Sequence, residues 1–272
     1  MIKMGTVWDR AAEFLTDNLP TILPIALLAY FVPLSIQGSF APVIEEASFG
    51  LALALRLIAL AFAILSLWGS LTLAAMVLGS EGDPGSMGVR RLPAALLVWI
   101  ALLASFCLLF VPVGGVLLAS GTDLQTLARG IPREIPMPIA WPLMLYCLAA
   151  LVVMLWISAR LVVVTPVIVA EARSFAAIAR SWRMTHGITW PVIGVTLLFL
   201  LVSQVAVLAA NTVFGSIFQL VAGPGGGLSL TGVLTSVTVA AVQTAFSVIP
   251  PVFTAKLYLA LIAAERDRAT LT

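Results

Sequence analysis

The chain has 272 residues, of which 61% are hydrophobic and only 10% charged, with a formal net charge of +2. A soluble domain carries about 25% charged residues, so most of this surface must face lipid rather than water. The two cysteines, Cys107 and Cys147, lie inside apolar runs, which argues against a secreted disulfide framework.

The apolar runs are about 20 to 30 residues long and lack the period-2 alternation of barrel strands. The expected fold is therefore all-α: a polytopic transmembrane bundle of about six helices in three hairpins, with cytoplasmic interfacial amphipathic helices, over residues 1–272. Segment 4–18 opens the chain as an amphipathic helix, with Val7, Trp8, Ala11, Phe14 and Leu15 on one side. Asp9, Arg10, Glu13 and Asp17 fall on the other. That pattern is not a basic stub leading into a short apolar core, so no cleaved signal peptide is expected.

The first span is read at 19–40, punctuated by Pro20, Pro24 and Pro33, and the second at 51–79, with Arg56 near its outer start. Glu45 and Glu46 begin the hairpin between them. Adjacent residues do not face one another, so a solvated turn is favoured over an acid–base pair. A polar turn from Ser80 to Arg91 leads to the third span, 93–120. Pro132, Pro136 and Pro138 exclude a continuous helix through the loop that follows. The fourth span is read at 139–170, the fifth at 188–215 and the sixth at 231–264, with a basic interfacial segment at 173–187. The fourth and sixth runs exceed the length a ~30 Å hydrocarbon core requires. Pro166, Pro250 and Pro251 are where they would kink, unless their ends project into the cytoplasm. The glycines at 223 and 225–227 read as a connector, since no Lys-Ser or Lys-Thr follows to make a phosphate cradle.

Orientation follows from the basic residues. Lys3, Arg10, Arg90, Arg91, Arg173, Arg180, Arg183, Arg266 and Arg268 fall in one set of loops and ends, against Arg129 and Arg133 in the other. The positive-inside rule then places both termini in the cytoplasm. Three times a basic or amphipathic segment runs into a proline and then an apolar span, before Pro20, Pro93 and Pro191, which reads as a weak threefold repeat. In the third copy Phe175, Ile178, Ala179 and Trp182 share a stripe, with Arg173, Arg180 and Arg183 off it. Such a helix lies in the interface, its arginines near anionic headgroups.

Arg160 and Lys256 are the most informative charges, each within an apolar run and each followed eleven residues later by an acid, Glu171 and Asp267. Base and acid share a face but stand ~16 Å apart on a straight helix, too far to pair. Snorkelling at a helix end competes with a polar site at the inner mouth of the bundle. Arg56 reads as snorkelling. His186 has no acid or nucleophile beside it in sequence, so a non-catalytic interfacial role is favoured. With one histidine and membrane-buried cysteines, neither metal nor cofactor is expected. Ser203, Gln204, Asn211 and Gln243 read as interhelical hydrogen-bonding groups, without dismissing a cavity near them.

From Thr165 to Trp190 the chain reads TPVIVAEARSFAAIARSWRMTHGITW. Pro166, Glu171, Arg180, Ser181, Trp182, Thr185, Gly187 and Trp190 occupy the places of a signature. The stretch resembles that of the glycerophosphoryl diester phosphodiesterase membrane-domain family and related six-span prokaryotic proteins. The tail from Tyr258 to Arg268 is similar to that family's last helix. The resemblance implies a membrane module that accompanies a phosphodiesterase in some proteins and stands alone in others. It carries no activity to this chain, which lacks the paired histidines and metal-binding carboxylates of that enzyme's catalytic domain.

The leading expectation is a non-enzymatic membrane module, lipid-associated or an accessory to another envelope protein. Arg160, Glu171, Arg173, Arg180, Arg183 and Lys256 are its candidate headgroup or inner-mouth residues. Expected partners are anionic lipids and a membrane protein, with no nucleic acid. A small transporter or channel with Arg160 and Lys256 at its inner mouth is the alternative, and a membrane-embedded lipid hydrolase the second.

Overall fold

A computed structural model describes residues 3–46, 48–80, 82–119, 137–172, 174–223 and 229–270. Every described element is helical, and six helices are long and apolar enough to cross a membrane: Leu19–Phe40, Phe49–Leu78, Pro84–Ala119, Met137–Glu171, Thr189–Val221 and Leu230–Asp267. The protein is an all-α bundle. The proline-bearing loop with Arg129 and Arg133, the glycines at 225–227, and Arg173 lie outside the described residues.

Helix α1 (Met4–Asp17) buries Val7 and Ala11 and half-buries Phe14 and Leu15, leaving Asp9, Arg10, Glu13 and Asp17 exposed. It docks on the last helix, its Trp8 ring 5.9 Å from that of Phe253. The first span is α2 (Leu19–Ala26), a π-helical turn (Leu27–Phe31) and α3 (Val32–Glu46), whose last turn holds Glu45 and Glu46. The cause of the π turn is Pro33. Without an N–H, it cannot donate to the Ala29 carbonyl four residues back. Ser66 on α4 (Phe49–Leu78) supplies that bond instead, Oγ to oxygen at 2.8 Å. One turn on, Gly69 meets Ala29 so closely that a side-chain methyl at 69 would collide with the alanine's own.

Helix α4 stops at Gly79, whose φ of 61° is the left-handed conformation that glycine adopts without strain. Helix α5 (Pro84–Ala119) then begins earlier than the expected end of the polar turn at Arg91. Asp83 caps it, accepting from the Ser86 N–H at 2.7 Å, and Pro84 needs no donor in the first turn. The short middle segment 87–92 is thus the first part of α5, with Pro93 inside the helix.

The fourth span is broken. Helix α6 (Met137–Arg160) ends, a three-residue turn intervenes, and α7 (Val164–Glu171) continues. After the short α8 (Ala176–Met184) come α9 (Thr189–Ala222) and α10 (Leu230–Ala269), the latter continuous through Pro250 and Pro251. Helix α10 packs against α9, α3, α4, α1 and α7, which makes it the axis of the bundle. Leu71, Val163, Val167, Ile168, Val252 and Leu257 are fully enclosed around it. Outward-facing leucines such as Leu103, Leu148 and Leu201 are exposed, as a lipid-facing surface requires. Cys107 also faces outward, and Cys147 is half-buried.

Candidate functional site

The chemistry-bearing residues gather at one end of the bundle, around the break in the fourth span. At the break the Val164 N–H turns to the Leu161 carbonyl at 3.0 Å instead of reaching back four residues. The Arg160 carbonyl thereby loses its helical donor, and a buried carbonyl without a partner costs about 1–3 kcal/mol. Ser181 on α8 and Thr185 at its C-terminal cap, both fully buried, each place a hydroxyl 2.9 Å from it. The hydroxyl of Thr185 is shared with the Ser181 carbonyl, also at 2.9 Å. Helix α8 is therefore seated by the break, and its buried face is Ala177, Ser181 and Met184. The expected apolar stripe is rotated away from the bundle by about one residue: Phe175 and Ala179 are exposed, while Ile178 and Trp182 sit at the flank.

The Arg160 side chain lies in an aromatic slot. Its guanidinium carbon is 5.2 Å from the Trp156 ring centroid and 5.3 Å from that of Trp182, and the two rings meet edge to face. Arg160 Nη1 also donates to the Trp182 carbonyl at 3.4 Å. A guanidinium held over two indole faces is stabilised without a counter-ion. Lys256 is placed similarly, its Nζ 4.6 Å from the Phe14 ring centroid. The structure thus gives Arg160 and Lys256 separate aromatic partners on α8 and α1.

The carboxylates meet a different cation. Arg180 on α8 forms a fork to Glu265 near the end of α10, Nη1 to Oε1 at 3.2 Å and Nη2 to Oε2 at 2.6 Å. Its Nε donates to Glu171 Oε1 at 3.2 Å, and the Tyr258 hydroxyl donates to that same oxygen at 3.2 Å. One arginine thereby ties α7, α8 and α10 together. The bond to Glu265 raises the Arg180 pKa above its ordinary value; partial burial opposes this, and the bond to Glu171 adds to it. Ala172 makes the geometry possible. Its φ of 56° is unusual for a residue with a side chain, and it turns the chain sharply after Glu171.

Of the residues singled out in sequence, Arg160, Glu171 and Arg180 share this end with α8, and Lys256 stands on α10 beside α1. Arg183 is exposed one turn beyond Arg180. Sequence reasoning missed Glu265, although it lies seven residues after Tyr258, two helical turns along the same face. Spacing set Lys256 and Asp267 on one face but too far apart to pair, and in the fold it is Glu265, two residues earlier, that meets a cation from another helix.

A cleft of about 490 Å³ lies beside the break, lined by Tyr30, Ser70, Trp99, Ser158, Thr165, Pro250 and Thr254 among others. Tyr30 and Ser70 share a hydrogen bond of 2.9 Å within it. At the opposite end of α9 and α10, Asn211, Ser216, Gln219, Thr231 and Ser236 line a second, polar cleft of about 400 Å³. Ser203, by contrast, donates to the Leu200 carbonyl of its own helix at 3.0 Å. No family model, curated protein or solved structure matches the chain. The likeness therefore rests on the residues between Thr165 and Trp190 and on the tail from Tyr258 to Arg268.

Proposed function

We propose that this chain is a non-enzymatic module of a prokaryotic inner membrane, with both termini cytoplasmic, that gathers anionic lipid headgroups on its basic end. The observation that carries the reading is the arginine clamp. By fixing α8 to α7 and α10, Arg180 holds an amphipathic helix on the bundle with Arg183 exposed. Lys3, Arg10, Arg90 and Arg266 are exposed on α1, α5 and α10, and the sequence adds Arg173 and Arg268 to the same segments. Each basic residue near an anionic surface contributes about 1 kcal/mol of attraction. The signature from Pro166 to Trp190 supports placing the chain in the glycerophosphoryl diester phosphodiesterase membrane-domain family. The inner-mouth alternative is not adopted, because Arg160 and Lys256 have aromatic partners and neither lines the cleft beside the break.

The test is native mass spectrometry of the full-length protein, released from nanodiscs of mixed phosphatidylglycerol and phosphatidylcholine. The wild type should retain phosphatidylglycerol selectively. Joint replacement of Arg90, Arg183 and Arg266 by Ala should lower that selectivity by about tenfold or more. Equal retention of both lipids by the wild type would refute the proposal.

A further inference from the structure

The cleft beside the break is not isolated. A smaller cavity of about 260 Å³ shares Val162, Pro250 and Thr254 with it. That cavity shares Trp8, Val195, Phe199 and Ile249 with an apolar groove of about 400 Å³ between α1 and α9. The three adjoin in a row, a passage whose successive cavities share wall residues. Its groove end is open to the surface, where Trp8, Leu198 and Val202 are 40%, 62% and 49% exposed.

The two ends differ in chemistry. Six hydroxyl side chains line the inner end: Tyr30, Ser70, Ser158, Thr165, Ser247 and Thr254. Backbone acceptors gather there as well. Pro166 and Pro251 lack N–H groups, so the carbonyls of Val162 and Ser247 lose their usual helical donors. In a lipid-surrounded bundle such acceptors need partners from side chains, water or a ligand. Among the described residues, no Asp, Glu, Lys, Arg or His lines any of the three cavities. The groove end offers Met4, Trp8, Leu198, Phe199, Val202 and Phe246, which suit hydrocarbon alone.

We infer that the passage binds one neutral amphiphile from the bilayer, with an uncharged hydroxyl-bearing head at the helix break and a hydrocarbon chain along the α1–α9 groove. A charged phospholipid head is disfavoured, because the inner end holds no counter-charge and burying an unpaired ion is expensive. Water would suit the hydroxyls but leaves the apolar limb without a role. The inner cleft has the volume of an ordinary ligand pocket. This site is separate from the basic end that binds anionic headgroups under the proposed function, and either can fail without the other.

The probe is a diacylglycerol carrying a photoactivatable diazirine in one acyl chain, added to the full-length protein in phosphatidylcholine nanodiscs. Labelled peptides are then mapped by mass spectrometry. Labelling of the peptides that carry Phe199 and Phe246 should saturate, and excess unlabelled diacylglycerol should displace it. Ser158→Trp, which fills the inner cleft from an exposed position, should weaken saturable labelling by about tenfold. Non-saturable labelling of the wild type would overturn the inference without reliance on any variant. So would equal labelling of those peptides by a diazirine phosphatidylglycerol. Saturable labelling that Ser158→Trp leaves unchanged would overturn the placement of the head at the break.

Discussion

Ser181 and Thr185 show how a hydroxyl decides local structure in this bundle. Both are fully buried, and both point at the Arg160 carbonyl, which the break in the fourth span releases. A single donor would suffice for that oxygen, so the two are partly redundant. Thr185→Val keeps the shape of the side chain and removes one donor, and should destabilise by about 1 kcal/mol or less. Combining it with Ser181→Ala strips the carbonyl of both hydroxyls, and the loss should exceed the sum of the single changes by about 1 kcal/mol. Thermal unfolding of the four proteins in one detergent measures this cycle. Strict additivity would show that the Arg160 carbonyl has found another donor. Ser66 plays the same part for Ala29 in the first span, where a spanning helix again departs from α geometry.

Helices α7, α8 and α10 are joined through one guanidinium, and the strength of that joint decides whether α8 is a fixture or an independent interfacial helix. The side chains of Arg180, Glu171 and Glu265 are 25%, 20% and 42% exposed, so solvent screens the clamp. Bidentate geometry at Glu265 raises its worth above that of an ordinary surface pair. Arg180→Met should therefore destabilise by about 1–2 kcal/mol, and ~1 M NaCl should narrow the gap from wild type. An unchanged melting temperature at low salt would mean that α8 is held by Ser181 and Thr185 alone. The same elements show what a sequence can and cannot disclose. Apolar runs located every span, because ~20 lipid-facing residues leave an unmistakable composition. The break at 161–163 left no such trace, since Leu161, Val162 and Val163 are as apolar as the helix on either side. The start of α5 was legible in principle from Asp83-Pro84, a cap followed by a first-turn proline, but the polar run to Arg91 masked it. Glu171 and Arg180 stood out as charges. Glu265 did not, because one acid in a charged tail is inconspicuous until the fold brings it opposite α8.

Across the whole molecule, alternation of six spanning helices returns α1, the 79–83 turn, α8 and the end of α10 to one face. That face carries the clamp, the aromatic slot of Arg160 and the exposed Lys3, Arg10, Arg90, Arg183 and Arg266, while the opposite end holds the hydroxyl- and amide-lined cleft between α9 and α10. The proposed reading makes the basic face cytoplasmic, because short loops rich in Lys and Arg stay inside. Cysteine labelling in intact cells tests this directly, on a background with Cys107 and Cys147 replaced by Ala. Thr6→Cys and Thr270→Cys sit at exposed positions on the basic face, and Gly50→Cys at an exposed position on the other. A membrane-impermeant maleimide should reach Cys at 50 without permeabilisation, and should reach 6 and 270 only after it. The reverse pattern would put the arginines outside and remove the anionic inner leaflet from the proposed function. Labelling of 6 and 270 on opposite sides would break the even count of spans itself, because two ends on one face require an even number of crossings.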